Sequence, residues 1–211
     1  MSKKKLEEDI KKALQEQKKE QAKNLAKQAI SKHPDDAFGY AYLAQALTLD
    51  RPIPFVKAEY CLAKASQLEP KNTDYLAKFA TLKDQQQQFD KSQLLWGKIV
   101  GLDPTHLQAA MKRGGFLMKN NKNYKYAIEF FDKVIEHHPE FPRSYFMKAI
   151  AKLELKEYEE ALSNYEKFVE LKGGEESERA LKIKQRIMDG LNPPEEEAET
   201  AETTEEPTVK S

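Results

Sequence analysis

A proline recurs along this chain about every 34 residues, and this recurrence restricts the possible folds more than any other feature. The intervals are 36, 34 and 35 residues, between Pro34, Pro70, Pro104 and Pro139. A further step of 34 residues reaches Gly173, and glycine ends a helix as proline does. Before each stop, apolar residues recur every three or four positions, which places them on one helix face. Self-similarity at this period is typical of helical repeat proteins.

Each repeat contains two amphipathic segments, which predict a helical hairpin. The first helices are expected at 37–49, 73–85, 107–119 and 142–155. Small residues recur in them where two antiparallel helices must approach closely: Ala44, Ala80, Gly114 and Ala149. One such hairpin has an apolar face too large to cover by itself, so we expect neighbouring hairpins to cover it.

The residues at these positions resemble the tetratricopeptide repeat (TPR) family, whose pattern is W-x2-L-G-x2-Y…A-x3-F…P over 34 residues. The matching residues are Tyr40-x2-Leu43-Ala44-x2-Leu47, Ala58-x3-Leu62 and Pro70, and later Tyr145, Ala149, Tyr158-x2-Ala161-x3-Tyr165. The resemblance covers about residues 3–173. It implies an all-α fold, a right-handed TPR α-solenoid of about five helical hairpins with a C-terminal capping helix.

The repeat phase divides the chain into segments. Residues 1–36 are a weak first unit, for which a TPR-like hairpin, one long helix and a charged cap all remain open. Four TPR hairpins are expected at 37–71, 72–105, 106–140 and 141–173, followed by a capping helix at 174–190. Residues 191–211 contain seven glutamates and one lysine and are expected to form a disordered acidic tail.

Four local features depart from a regular repeat or separate its helices. Lys83 stands where the family usually has an aromatic residue. The runs Gln85–Gln88 and Lys119–Asn123 are predicted to be turns. Gly115 costs about 1 kcal/mol of helix propensity without an evident packing reason. We hypothesise that Gly115 allows a partner backbone to approach closely.

Charge and hydropathy exclude several classes of protein. The 35 basic and 35 acidic residues cancel, so neither nucleic acid nor an anionic membrane is an expected partner. The longest uncharged stretch, 37–49, is too short to span a bilayer, and the basic N-terminus lacks the apolar run of a signal peptide. A single cysteine fits a reducing compartment. We therefore expect a soluble, cytoplasmic protein.

Residues that carry chemistry are scattered rather than clustered. Three of the four histidines, His33, His137 and His138, are expected at helix ends, where a polar or cationic residue is favourable. Cys61 is expected to be a buried thiol. No phosphate-binding loop, nucleophile elbow or metal-binding motif occurs in the sequence. We expect no catalytic residues, metal or cofactor, and hence no enzyme.

The TPR resemblance implies that the first helix of every hairpin lines a concave groove that holds a partner. By helical phase, the predicted partner-binding residues are Phe38, Asp74, Lys78, Gln108, Met111, Lys112, Arg143, Phe146 and Ile150. The TPR subgroup that grips chaperone carboxylates uses asparagine here, and asparagine is absent from the matching places. An apolar strip on these helices instead favours a peptide or an amphipathic helix. The alternative is that these side chains only pack against neighbouring helices.

The function expected from these features is a non-catalytic adaptor or scaffold that binds a partner protein in its groove. Two alternatives remain open. The chain is a dedicated chaperone or assembly factor for one client, or it associates with further copies of itself.

Overall fold

The computed structural model describes residues 2–192. Within this range it contains eleven α-helices and no strands: α1 (Lys3–Gln15), α2 (Lys19–Lys32), α3 (Ala37–Leu47), α4 (Phe55–Leu68), α5 (Thr73–Gln85), α6 (Phe89–Leu102), α7 (Leu107–Asn121), α8 (Tyr124–His137), α9 (Pro142–Glu154), α10 (Tyr158–Leu171) and α11 (Glu178–Leu191). The chain divides after Lys112 into two compact units, so the boundary falls within α7. The predicted acidic tail lies outside the described residues from position 193 onward.

In four of the five hairpins, a recurrent proline ends the second helix through the residue that precedes it. These C-cap residues have φ between −142° and −129° and lie directly after α2, α4, α6 and α8: His33, Glu69, Asp103 and His138. The proline ring clashes with an α conformation of the residue before it. The backbone therefore leaves the helix at the same point of each of these repeats.

In four of the five hairpins, a residue in the left-handed region that is not glycine makes the turn between the two helices. Gln17, Gln87, Lys122 and Lys156 have φ between 48° and 61°. This conformation reverses the chain after the first helix as a glycine C′ residue does. Residues 3–32 accordingly form two helices, α1 and α2, rather than one long helix.

Several predicted boundaries need correction. α7 continues through Asn121, so the turn predicted at Lys119–Asn123 begins only at Lys122. α3 ends at Leu47 and the last helix begins at Glu178. The predicted Gln85–Gln88 turn does separate α5 from α6. None of the described helices combines the length and apolar character that crossing a bilayer requires.

The small residues predicted at close helix contacts are buried in both units. Ala44 and Ala80 are inaccessible in the first unit and Ala149 in the second. A Cβ atom added to Gly114 would lie 2.6 Å from the ring of Phe131, which is itself fully buried. Close approach of the helices of a hairpin therefore depends on these residues.

Lys83 pairs with an acidic residue although it occupies an apolar position of the repeat. Only 3% of the residue is exposed. Its ammonium forms an ion pair with Glu59 of α4, donates to Oε1 of Gln88 over 3.1 Å, and lies 5.4 Å above the ring of Phe79. The lysine thus replaces apolar packing with an ion pair that joins two successive hairpins.

Glu59→Gln is expected to destabilise the protein more at pH 7 than in acid. The hydrogen bond from Lys83 lowers the pKa of Glu59 below its ordinary value. A lowered carboxyl pKa stabilises the fold above the ordinary pKa, and this contribution is lost as pH falls through the folded-state pKa. Urea unfolding of both proteins should therefore show a difference in the free energy of unfolding that is smaller at pH 3 than at pH 7. A difference of equal size at both pH values would contradict the prediction.

Candidate partner-binding site

A cavity of about 370 Å³ lies in the first unit, between the first helices of three successive hairpins. Its lining residues come from α3, α5 and the start of α7, with one contribution from α4: Ala44, Gln45, Thr48, Leu62, Asp74, Ala77, Lys78, Thr81, Leu82, Gln85, His106 and Gln108. Three of the predicted partner-binding residues, Asp74, Lys78 and Gln108, are among them. The structure thus brings together predicted residues from two different repeats.

The cavity has an apolar floor and a polar rim. Ala44, Leu62 and Leu82 are almost completely buried and form the floor. Amide, hydroxyl and charged groups from α3, α5 and α7 surround it. A concave site with an apolar floor and a few polar groups is the usual form of a ligand pocket.

Asp74 and Lys78 place opposite charges one helical turn apart on α5. Asp74 lies in the first turn of the helix, where a carboxylate is favoured by the helix dipole. Neither side chain forms a hydrogen bond or an ion pair with another described residue. Both charges therefore remain free to interact with a ligand.

His106 is held in a defined orientation at the edge of the cavity. Its Nδ1 accepts a hydrogen bond from the backbone N–H of Ala109 over 3.3 Å, at the start of α7. In the neutral ring the proton must then lie on Nε2. His106 is thereby available to the cavity as a hydrogen-bond donor.

Further cavity residues were not identified by sequence reasoning, although the helical period pointed to them. On α5, Thr81 and Gln85 continue the row of Asp74 and Lys78 at intervals of three and four residues. On α3, Gln45 lies seven residues after Phe38 on the same face, and Thr48, the C-cap residue of α3, follows three residues later. Extension of each predicted row along its helix would have found these residues.

Phe38, in contrast, does not line an accessible surface, and its assignment to the apolar strip is corrected. Only 3% of it is exposed. It packs in a cluster with Leu6 and Ile10 of α1, and the Lys3 ammonium lies 5.5 Å from its ring centre. Helix α1 covers the beginning of the row on α3, which leaves only the later part of that row open.

The other predicted residues of α7 have different surroundings. Met111 is half-buried. Lys112 is exposed and forms an ion pair with Asp84 of α5 over 2.9 Å. Asp84 also accepts a hydrogen bond from the indole N–H of Trp96 over 3.3 Å. Lys112 therefore has an intramolecular role that links α5, α6 and α7.

The predicted residues of the second unit divide between the surface and the interior. Arg143 is exposed and Ile150 is half-buried. The ring of Phe146 lies 4.7 Å from that of Phe168, and Arg179 of α11 lies 6.0 Å from its centre. These contacts favour, for Phe146, the alternative that it packs against neighbouring helices.

Gly115 is open on the side where a Cβ atom would lie. No atom would come within 4 Å of an added Cβ. Packing among the described residues therefore does not require glycine at this position. That Gly115 admits a partner backbone stays a hypothesis.

The adjacent glycines of α7 are expected to respond to alanine with opposite signs. Gly115→Ala should raise the free energy of unfolding by about 1 kcal/mol, because alanine restricts the unfolded chain and favours the helix. Gly114→Ala should lower the free energy of unfolding by up to about 2 kcal/mol, because the cost of overpacking against Phe131 is larger than the gain in helix propensity. Urea unfolding followed by circular dichroism measures both. Changes of the same sign would show that the environment of Gly114 is not as tight as described.

Among the described residues, no group of three or more His, Cys, Asp or Glu side chains is arranged to hold a metal ion. The thiol of Cys61 is buried, and burial raises its pKa above the ordinary value. A raised thiol pKa lowers the fraction of reactive thiolate at neutral pH.

Comparison with known proteins agrees with this architecture. The family model of the tetratricopeptide repeat matches residues 130–163. No curated protein matches the chain significantly. PilF of Pseudomonas aeruginosa has the same fold, with a TM-score of 0.74 and 20% identity, over 95% of this chain and 87% of that chain.

Two further solved structures are similar at the level of the fold. A MamA protein gives a TM-score of 0.65 and 16% identity over 81% of this chain and 92% of that chain. YrrB, described as a TPR protein with an unusual peptide-binding site, gives a TM-score of 0.66 and 17% identity, over 83% of this chain and 88% of that chain.

An all-α chain built from successive helical hairpins belongs to the class of α-solenoid repeat proteins. The family match places a tetratricopeptide repeat at residues 130–163, and the solved structures show that the chain shares the fold of TPR solenoids. The TPR fold supports a protein–protein interaction scaffold, and TPR proteins are generally non-catalytic adaptors that bind other proteins or peptides.

Proposed function

We propose that this protein binds a peptide segment of a partner protein in the cavity between α3, α5 and α7. The observation that carries the proposal is the pair of unpartnered opposite charges, Asp74 and Lys78, at the rim of a cavity with an apolar floor. The floor accepts an aliphatic side chain, and the two charges orient the peptide and reject partners of the wrong charge pattern.

The polar rim supports a peptide as the ligand rather than a purely apolar molecule. Gln45, Gln85 and Gln108 contribute side-chain amides, which both donate and accept hydrogen bonds. A peptide backbone needs both kinds of partner when it is removed from water. The peptide-binding site for which YrrB is described gives a precedent within the same fold.

Selection of random peptides of about 12 residues on the immobilised full-length chain tests the proposal. The affinity of a selected peptide is then measured for the wild type, Lys78→Glu and Thr81→Trp. Lys78→Glu reverses one rim charge and Thr81→Trp fills the cavity, so each should weaken binding by about tenfold or more. Lys27→Glu, an exposed lysine of α2 in the same unit, is the matched control and should leave the affinity within about twofold.

Circular dichroism first verifies that each variant retains its helicity. If no peptide is enriched, or if enriched peptides bind Lys78→Glu and Thr81→Trp as tightly as the wild type, the cavity is not the binding site. Equal weakening by Lys27→Glu would show an effect of net charge rather than of the cavity.

A further inference from the structure

Three large apolar side chains project into solvent from α4 and α6 of the first unit. Val56 is 83% exposed, Tyr60 66% and Leu94 76%. Tyr60 and Leu94 are each the sixth residue of their helix, so they occupy equivalent positions of successive repeats. The sixth residues of α2, α8 and α10 are polar: Asn24, Glu129 and Ser163. Apolar residues at this position are therefore particular to α4 and α6.

Lysines flank both of these apolar residues at the same spacing. Lys57 and Lys64 lie three residues before and four residues after Tyr60, and Lys91 and Lys98 flank Leu94 identically. The spacing i, i+3, i+7 places each set on one side of its helix. Together with Val56, these six residues form what we call the lysine–apolar face.

The two helices present this face close to one another. The ammonium of Lys83 forms an ion pair with Glu59 of α4 and donates over 3.1 Å to Gln88, the residue that directly precedes α6. The residue before Tyr60 and the start of α6 are therefore held close together. The two lysine–apolar rows lie on the second helices of two successive hairpins.

The charge of the lysine–apolar face is largely uncompensated. Lys57, Lys64 and Lys98 form no hydrogen bond or ion pair with another described residue. Asp90 occupies the position on α6 that corresponds to Val56 on α4. Four lysines set against this acid leave the face with a net positive charge, although the whole chain is neutral.

We propose that the lysine–apolar face docks on an anionic lipid bilayer. No residue of the lysine–apolar face lines the cavity between α3, α5 and α7, so the face is a separate surface from the proposed peptide site. Tyrosine is favoured at the headgroup level of a membrane, and lysine buries its alkyl stem while its ammonium stays in water. The sequence predicted no membrane partner because the net charge of the whole chain is zero. That sum does not show the local positive charge of the lysine–apolar face.

Co-sedimentation of the full-length chain with vesicles tests the proposal. The vesicles are phosphatidylcholine alone, or phosphatidylcholine with about 30% phosphatidylserine, at low and at physiological salt. The wild type should bind the anionic vesicles and not the neutral ones. Replacing Lys57, Lys64, Lys91 and Lys98 together by glutamine should weaken binding on the order of several hundredfold, because each lysine near the surface contributes about fivefold.

Two further variants separate this face from a general effect of charge. Val56→Ser, Tyr60→Ser and Leu94→Ser together should weaken binding by about tenfold or more, because insertion of apolar side chains is lost. A control variant removes the same charge from α1 and α2 by replacing Lys4, Lys5, Lys12 and Lys27 with glutamine. The control should bind anionic vesicles within about threefold of the wild type.

Four results would overturn the proposal. They are failure of the wild type to bind anionic vesicles, equal binding to neutral vesicles, unchanged binding of the serine variant, and equal loss in the control variant. If the chain ignores vesicles but binds poly-glutamate through Lys57, Lys64, Lys91 and Lys98, the partner of this face is an acidic protein segment and the bilayer is the wrong class.

Discussion

Trp96→Ala is expected to lower the free energy of unfolding of the first unit by about 3–5 kcal/mol, the usual cost of replacing a buried tryptophan by alanine. Trp96 is completely buried and packs with Leu76, Ala80 and Ile99. The substitution leaves a cavity among side chains from two helices of a hairpin. It also removes the indole donor to Asp84, a half-buried carboxylate that Lys112 continues to neutralise. Urea unfolding followed by circular dichroism measures the loss.

Leu94→Ala is the matched control for this substitution because it lies on the same helix, two residues earlier, with 76% of its surface exposed. Its free energy of unfolding should remain within about 0.5 kcal/mol of the wild type. A loss below about 1 kcal/mol for Trp96→Ala, or equal losses for both variants, would contradict the packing described for α6.

Ile187→Ala is expected to loosen the last helix and to lower the stability of the second unit by about 2–5 kcal/mol. Ile187 and Ala180 are the buried residues of α11, and they pack in one cluster with Leu153 and Tyr165. The segment before α11 is tied to the same cluster, because the hydroxyl of Tyr165 donates to Glu176. Truncation of Ile187 removes a fully buried apolar side chain that joins α11 to its unit.

Limited proteolysis and urea unfolding measure the two consequences. The Ile187→Ala variant should be cleaved faster between α10 and α11, because local opening exposes the connecting segment. Leu181→Ala, on the outer side of α11 with 48% exposure, should be cleaved at the wild-type rate. Equal protection of both variants would mean that α11 is held mainly by contacts other than Ile187.

Much of the fold could be predicted because the decisive signals are local. Apolar residues at helical spacing and prolines about 34 residues apart identify helices and their ends without reference to the rest of the chain. The predicted first helix at 73–85 coincides with α5, and the all-α TPR solenoid class is confirmed. The small residues expected at helix contacts followed from the same reasoning, since only a short side chain allows two backbones to approach closely.

The candidate site could be predicted only in part, because periodicity identifies the face of a helix and not what covers that face. Asp74, Lys78 and Gln108 line the cavity as neighbours. Phe38 has the same helical phase but is covered by α1, and Phe146 packs against Phe168. A covered and an open apolar residue carry the same signal in a sequence.

Sequence alone determined where the helices of this protein lie and that they pair into hairpins, because hydrogen bonding, proline geometry and apolar periodicity act over a few residues. Tertiary structure decided which faces remain open. It placed Lys83 beside Glu59, which lies 24 positions earlier in the chain. It also buried Phe38, while the cavity beside Lys78 stayed accessible. These outcomes depend on contacts between helices that are far apart in sequence. Whether a side chain is buried or paired with an opposite charge depends on the helix that packs against it, and the residue type alone does not determine this.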